Sequence, residues 1–324
     1  MLNDLIARRR ARKSALRTQV ATVAGRRQFL RGFGAAAAGA TATAAMMGVA
    51  ATTPAQAADI DVAILQFALN LEYLEAEFYL KAATGTGMGG VNVGPNPGPV
   101  VGGRQVNFTS SLIGAYAQEI AQEERKHVLF LRAALGSSVV ARPALDLQSS
   151  FVALGKLTGL SNNFDPFADD FSFLLGAYIF EDVGVSAYHG AAPLITNKNY
   201  LDKAAGILAV EAYHAGLIRT VLFANGYSSQ TQAISGLRAT LAGTANTQNR
   251  DDQGVGTVSD PHIVLASVSA NGTLLGGFPT NDPPGNNAIA YERTTRQVLN
   301  IVYGGVNATK GLFFPNGLNG TIVS

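Results

Sequence analysis

Two Glu-x-x-His pairs limit what this 324-residue chain can fold into more than any other feature of its sequence. "QEERKH" sets Glu124 three residues before His127, and "EAYH" sets Glu211 three residues before His214. On a helix, that spacing puts both side chains of a pair on one face, a turn apart. Upstream of each pair lies another apolar segment, in which a glutamate is followed seven residues later by a tyrosine: Glu72 and Tyr79, then Glu181 and Tyr188. The order Glu…Tyr then Glu-x-x-His, written twice, asks for two helical hairpins packed face to face. Only then do all four acids share one interior.

Apolar residues recur with helical periodicity over about 59–84, 109–135, 167–192 and 199–225. The inward stripes run Leu65, Leu69, Glu72, Ala76, Tyr79; then Ile113, Tyr116, Ile120, Glu124, His127, Leu131. The third is Leu174, Tyr178, Glu181, Val185, Tyr188, and the fourth Ile207, Glu211, His214, Ile218, Val221. A Gly- and Pro-rich stretch, 85–107, separates the first two segments; a longer one, 136–166, separates the second from the third. A short turn at "TNKN" joins the last two. Two antiparallel hairpins linked by one long crossover make an all-α four-helix bundle. Residues 227–324 are rich in Gly, Asn, Thr and Pro, with short helices expected at about 230–242 and 286–303. One amphipathic helix is too little for a separate core, so this region is expected to be an extension packed on the bundle.

The overall charge of +2 joins two unlike parts. Residues 1–57 hold nine of the 24 basic residues and one acid, Asp4, which leaves 15 basic and 21 acidic residues, a net of −6, for 58–324. The basic character belongs to the leader, and no nucleic-acid partner is implied. That leader carries Arg26–Arg27, then Phe29 and Leu30, a weakly apolar Ala/Gly run, and "AQA" ending at Ala57. It resembles a twin-arginine export signal, which implies the twin-arginine export machinery as a partner, cleavage near Ala57, and a periplasmic or extracellular location. The competing reading is a retained anchor, for which an Ala/Gly run is too weakly apolar. The expected organisation is a signal over 1–57, the bundle over 58–226 and the extension over 227–324. The chain has no cysteine, so no thiolate can bind metal.

Glu72, Glu124, His127, Glu181, Glu211 and His214 are the candidate metal ligands. Two divalent ions close together need anionic bridges, which Glu124 and Glu211 can supply. Four carboxylates neutralise two such ions and leave positions for water or oxidant. "LEYLEAEFY" also offers Glu75 and Glu77. Glu72 shares the stripe of Tyr79, Glu75 stays open as a supporting group or the ligand itself, and Glu77 points away. Glu123 is expected at the edge. Tyr79, Tyr188, Tyr116 and Tyr178 can line the centre, although packing accounts for any one of them. His189 lies too far along its helix for the same ions. His262 is expected on a surface turn.

"LNLEYLEAEFYLKAATG", "AQEIAQEERKHVLFLRAALG", "FLLGAYIFEDVGVSAYHGA" and "EAYHAGLIRTVL" resemble the ferritin-like superfamily, within it the subgroup of desiccation-related proteins of plants and bacteria. "SDPHIVLASVSANGTLLGGFPT" resembles that subgroup too. The resemblance implies a ferritin-like four-helix bundle with a dinuclear metal centre and leaves the reaction open. The long extension departs from cage-forming ferritins and argues against a storage shell, while leaving a homo-oligomer open. The centre also resembles that of manganese catalases, but the symmetric ligand set is closer to the di-iron pattern, so two divalent ions, iron over manganese, are the expected cofactors. The expected function is oxidation of Fe²⁺, or reduction of peroxide or O₂, in envelope stress protection. The alternative is a non-catalytic stress protein with a structural or vestigial metal site.

Overall fold

The computed structural model describes residues 54–243, 290 and 292–324; residues 1–53, most of the expected export signal, and His262 lie outside the described residues. Four long helices form the bundle: α1 (Pro54–Thr84), α2 (Ser111–Leu135), α4 (Asp170–Ala191) and α5 (Lys198–Ala224). Their boundaries follow local chemistry. Pro54 opens α1, where a fixed φ and a missing N–H cost nothing. Ser110 caps α2 by accepting from the Ile113 N–H, Asp169 caps α4 by accepting from Ser172, and Asn197 caps α5 by accepting from Asn199. α5 is long and apolar enough to cross a membrane. Its inward face, however, carries buried Glu211, His214 and Arg219, which meet partners from α2 and α4.

The two hairpins repeat each other down to their ends. The residue spacing that relates Glu72 and Tyr79 to Glu181 and Tyr188 also relates Asp61 to Asp170. Asp61 accepts from the Thr196 and Asn197 N–H groups at 2.7 and 2.8 Å, just before α5. Asp170 accepts from the Thr109 and Ser110 N–H groups at 3.0 and 3.2 Å, just before α2. The first helix of each hairpin thus anchors the start of the second helix of the other, α1 that of α5 and α4 that of α2, which fixes the register in which the four acids meet.

The two long loops hold more structure than their composition implies. The crossover contains α3 (Ser149–Thr158) and β2 (Leu145–Asp146), and β2 pairs in parallel with β1 (Val100–Val101) from the first loop. Both elements are too short for periodicity to register. Glu77, expected to point away from the stripe of Glu72, does so and is buried there: it forms an ion pair with Arg142 of the crossover, which also donates to Gly98 O at 2.7 Å. That pair closes the two loops on α1.

The C-terminal extension supplies core. Phe313 meets Phe151 of α3 and Phe180 of α4 at 5.1 and 4.9 Å between ring centroids, while Phe78 stacks on Phe173 at 5.6 Å. Such pairs contribute about 0.5–1.5 kcal/mol each beyond area burial. Asn319 and Asn70 exchange two hydrogen bonds of 2.8 and 3.0 Å. Gly190 lets the chain at Arg293 pass close by; a Cβ there would lie 2.0 Å from Arg293 O. α6 (Ser228–Ala242) and α7 (Thr295–Tyr303) complete the helices among the described residues. α7 starts later than the expected 286, because a capping box between Thr294 and Gln297 sets its first turn.

Candidate metal centre

The four bundle helices bring Glu72, Glu124, His127, Glu181, Glu211 and His214 together in the interior. Four of them are at most 1% exposed as carboxylates, His214 is 0% exposed and His127 8%. They fall into two groups that could hold a metal ion, Glu72–Glu124–His127–Glu211 and Glu124–Glu181–His214, with the ligand atoms in each group within 4.8 Å of one another. Glu124 belongs to both. Both histidines present Nδ1: that of His127 lies 3.2 Å from Glu72, 3.3 Å from Glu124 and 3.7 Å from Glu211. That of His214 lies 3.0 Å from Glu124 and 3.3 Å from Glu181.

The tyrosines work crosswise. Tyr79 of α1 donates its O–H to Glu181 of α4, and Tyr188 of α4 donates to Glu72 of α1. Burial, then the neighbouring carboxylates, push both phenols well above their ordinary pKa, so both remain donors. The other two tyrosines have contacts elsewhere. Tyr178 packs under Arg238, whose guanidinium sits 4.6 Å from its ring centroid, and half-buried Tyr116 shares a surface pocket with Tyr213. His189 is half-buried and outside both groups.

Three residues complete the surroundings. Glu123, half-buried at the edge, lies 2.8 Å from His214 Nε2, so it can hold that imidazole with Nδ1 turned inward. Glu75 is buried beside the cluster. Gly184 makes room for Glu211: a Cβ there would lie 2.2 Å from Glu211 Oε2, against 3.6 Å from Glu75 Oε1. In the repeat, Gly184 occupies the place of Glu75. The Glu…Tyr alignment could have revealed that exchange, whereas Glu123 gave no signal beyond its position next to Glu124.

The electrostatics of these residues alone are strained. Burial, then nearby acids, push Glu75 and Glu211 well above the ordinary carboxylate range and raise Glu181, while burial pushes Glu72 up to about 7. Burial would raise Glu124 as well, but the close approach of His127 and His214 holds it well below the usual range. Burial alone would lower the histidines. The carboxylates reverse this, pushing His127 up to about 12 and raising His214 likewise. Protons stand where positive charge is wanted. Even so, Glu124 Oε1, Glu181 Oε2, both Glu211 oxygens and His214 Nδ1 have no hydrogen-bond partner. His214 Nδ1 is within reach of two of those oxygens but not aligned with them. An unsatisfied buried polar atom costs about 1–3 kcal/mol. Oxygen and nitrogen donors aimed at common points fit a divalent cation that takes carboxylate and imidazole.

Comparison with known proteins agrees with this reading of the fold. The family model described as a ferritin-like domain matches residues 60–224, from within α1 to the end of α5. The desiccation-related protein PCC13-62 of Craterostigma plantagineum is 33% identical over 255 residues, 74% of this chain and 76% of its own. The ferritin-like catalase Nec2 of Nesocodon mauritianus is 30% identical over 275 residues, 82% of this chain and 85% of its own. No solved structure matches the chain significantly. With its bundle, its buried carboxylate and histidine cluster and these relatives, the chain belongs to the ferritin-like domain family.

Proposed function

We propose that this is an exported protein that holds two divalent metal ions, iron in preference to manganese, and consumes peroxide in protection of the cell envelope. The observation that carries the reading is the set of buried polar atoms on Glu124, Glu181, Glu211 and His214 that no protein group satisfies. Two overlapping groups sharing Glu124 suit a pair of ions with a carboxylate between them. Similarity to a protein named as a catalase, over 82% of the chain, supports peroxide over Fe²⁺ as the substrate. The symmetric donor set supports iron, by the pattern of di-iron carboxylate bundles. Export rests on the Arg26–Arg27 leader.

When bound, a redox-active metal pair supplies the electrons that peroxide takes up and returns. The chain's own residues arrange the rest. Tyr79 and Tyr188 hold Glu181 and Glu72 by one oxygen each, with the second oxygen turned toward His214 and His127 respectively. Glu123 fixes the ring of His214. Glu75, raised well above the ordinary carboxylate range by burial and the surrounding acids, is placed to hold a proton beside the cluster. The phenylalanines around Phe78 keep bulk water from that end of the interior.

A second reading, in which metal only staples the bundle of a non-catalytic protein, is favoured by the 33% identity to a desiccation-related protein. The test is peroxide consumption by the metal-loaded protein beside a His127→Ala/His214→Ala variant. A rate at least ~100-fold higher in the parent supports catalysis, the scale on which ligand loss acts. Equal rates, with a Tm that falls on chelation, overturn catalysis and leave the staple.

A further inference from the structure

The repeat relates His127 to His214, yet their outer edges differ. Glu123 covers His214, whose side chain is 0% exposed. The residue that the repeat puts in Glu123's place, immediately before Glu211, is Val210. His127, with a side chain 11% exposed, has no carboxylate there, and its hydrogen-bond contacts among the described residues run through Nδ1 alone. Where that carboxylate would be, a pocket of about 210 Å³ opens to solvent between α2 and α5, lined by His127, Phe130, Lys203, Gly206, Ile207 and Val210.

We propose that this pocket is the way in for a small uncharged or anionic oxidant of peroxide size, and that divalent cations do not use it. One of the six candidate ligands, His127, lies in its wall. Its lining holds no carboxylate to pass a cation inward, and Lys203 in its wall repels cations. Lys203 pairs with Asp202 at 2.9 Å, but both side chains are more than half exposed, which makes the pairing weak, and Asp202 is not in the wall. Apolar Phe130, Ile207 and Val210 bind no charged solute. The proposal rests on the reading of the cluster as a metal centre, and its test fails separately from the peroxide reading.

Gly206 provides the probe. A Cβ there meets nothing within 4 Å, and the same holds for Gly216 on the same helix, which lines a different pocket with Tyr116 and Tyr213. Gly206→Phe fills the proposed route and Gly216→Phe is the matched control. Both remove a helix-interior glycine, so neither is expected to weaken α5. The measurements are metal content, Tm, the stopped-flow association rate of azide with the metal-loaded protein, and peroxide consumption. Gly206→Phe should slow azide association and peroxide consumption on the order of tenfold, with metal content and Tm unchanged, and Gly216→Phe should slow neither. Azide association at the parent rate in Gly206→Phe overturns the route. If the parent consumes no peroxide but azide is still slowed, the route stands and the catalytic reading falls. Should Gly206→Phe fail to load metal, Lys203→Glu on the exposed rim decides: severalfold slower azide association supports the route, and an unchanged rate overturns it.

Discussion

The α1–α2 hairpin and the α4–α5 hairpin share a frame and differ in what they add to it. Both place an anchoring aspartate, a glutamate, a tyrosine and a Glu-x-x-His pair at matching positions. At three other matched positions they part: Glu75 against Gly184, Glu123 against Val210, and Tyr73 against Asp182. The last pair is instructive. Arg132 donates to Tyr73 at 2.5 Å, and Arg219, its counterpart, forms an ion pair with Asp182. The arginine contact is kept while its acceptor changes. What the two halves repeat is therefore the holding of the cluster; what they vary is its protonation and its access to solvent.

The largest effect is expected where the difference is sterically enforced. Gly184→Val would drive a side chain into the Glu211 carboxylate, and we expect loss of metal binding together with about 1–3 kcal/mol of destabilisation, the usual range for overpacking. Calorimetry with metal analysis checks this, and a variant that binds metal like the parent would break the account of the Glu75–Gly184 exchange. Next in size, Tyr79→Phe and Tyr188→Phe should each weaken metal affinity by roughly 10–100-fold, the typical cost of losing a group that orients a ligand. Isothermal titration should find the two losses alike. A large loss in one and none in the other would show that the frame is less symmetric than its contacts. Smaller again, Asp61→Ala and Asp170→Ala should each cost about 1 kcal/mol in urea unfolding, since each removes acceptors from the start of one helix.

The gentlest effect is a slope with pH. Between the ordinary glutamate value and about 7, folded Glu72 holds a proton that the unfolded chain has released, so raising pH favours unfolding of the metal-free protein. His127, pushed up to about 12, acts in the same sense from the ordinary histidine value upward. Glu124 acts oppositely, but only at acid pH. Metal-free protein should therefore lose Tm from pH 5 to pH 8, whereas affinity for metal should rise over that interval because ligands must shed protons. A metal-free Tm that climbs with pH would contradict the placement of these groups.

Much of this was legible before any coordinates, for a physical reason. A charged residue on an apolar stripe is costly, so six of them at repeated spacing mark an interior where something compensates. The same reasoning separated Glu72 from Glu77, because stripe position reports which face a side chain takes. It does not report what a distant loop brings to the opposite face. Arg142 of the crossover, which meets Glu77, and Arg238 of α6, which meets Tyr178, could not be read from those stripes. α3 and the β1–β2 pair escaped notice because each is held by contacts with remote segments, Phe313 among them, and not by its own periodicity.

The central claim is that the buried cluster is built for two cations, and metal stoichiometry tests it most directly. Metal-free protein titrated with Fe²⁺ under anaerobic conditions, desalted and analysed for iron and protein, should retain two ions per chain, and the His127→Ala/His214→Ala variant should retain none. No retained iron in the parent, or equal retention in the variant, would contradict the account.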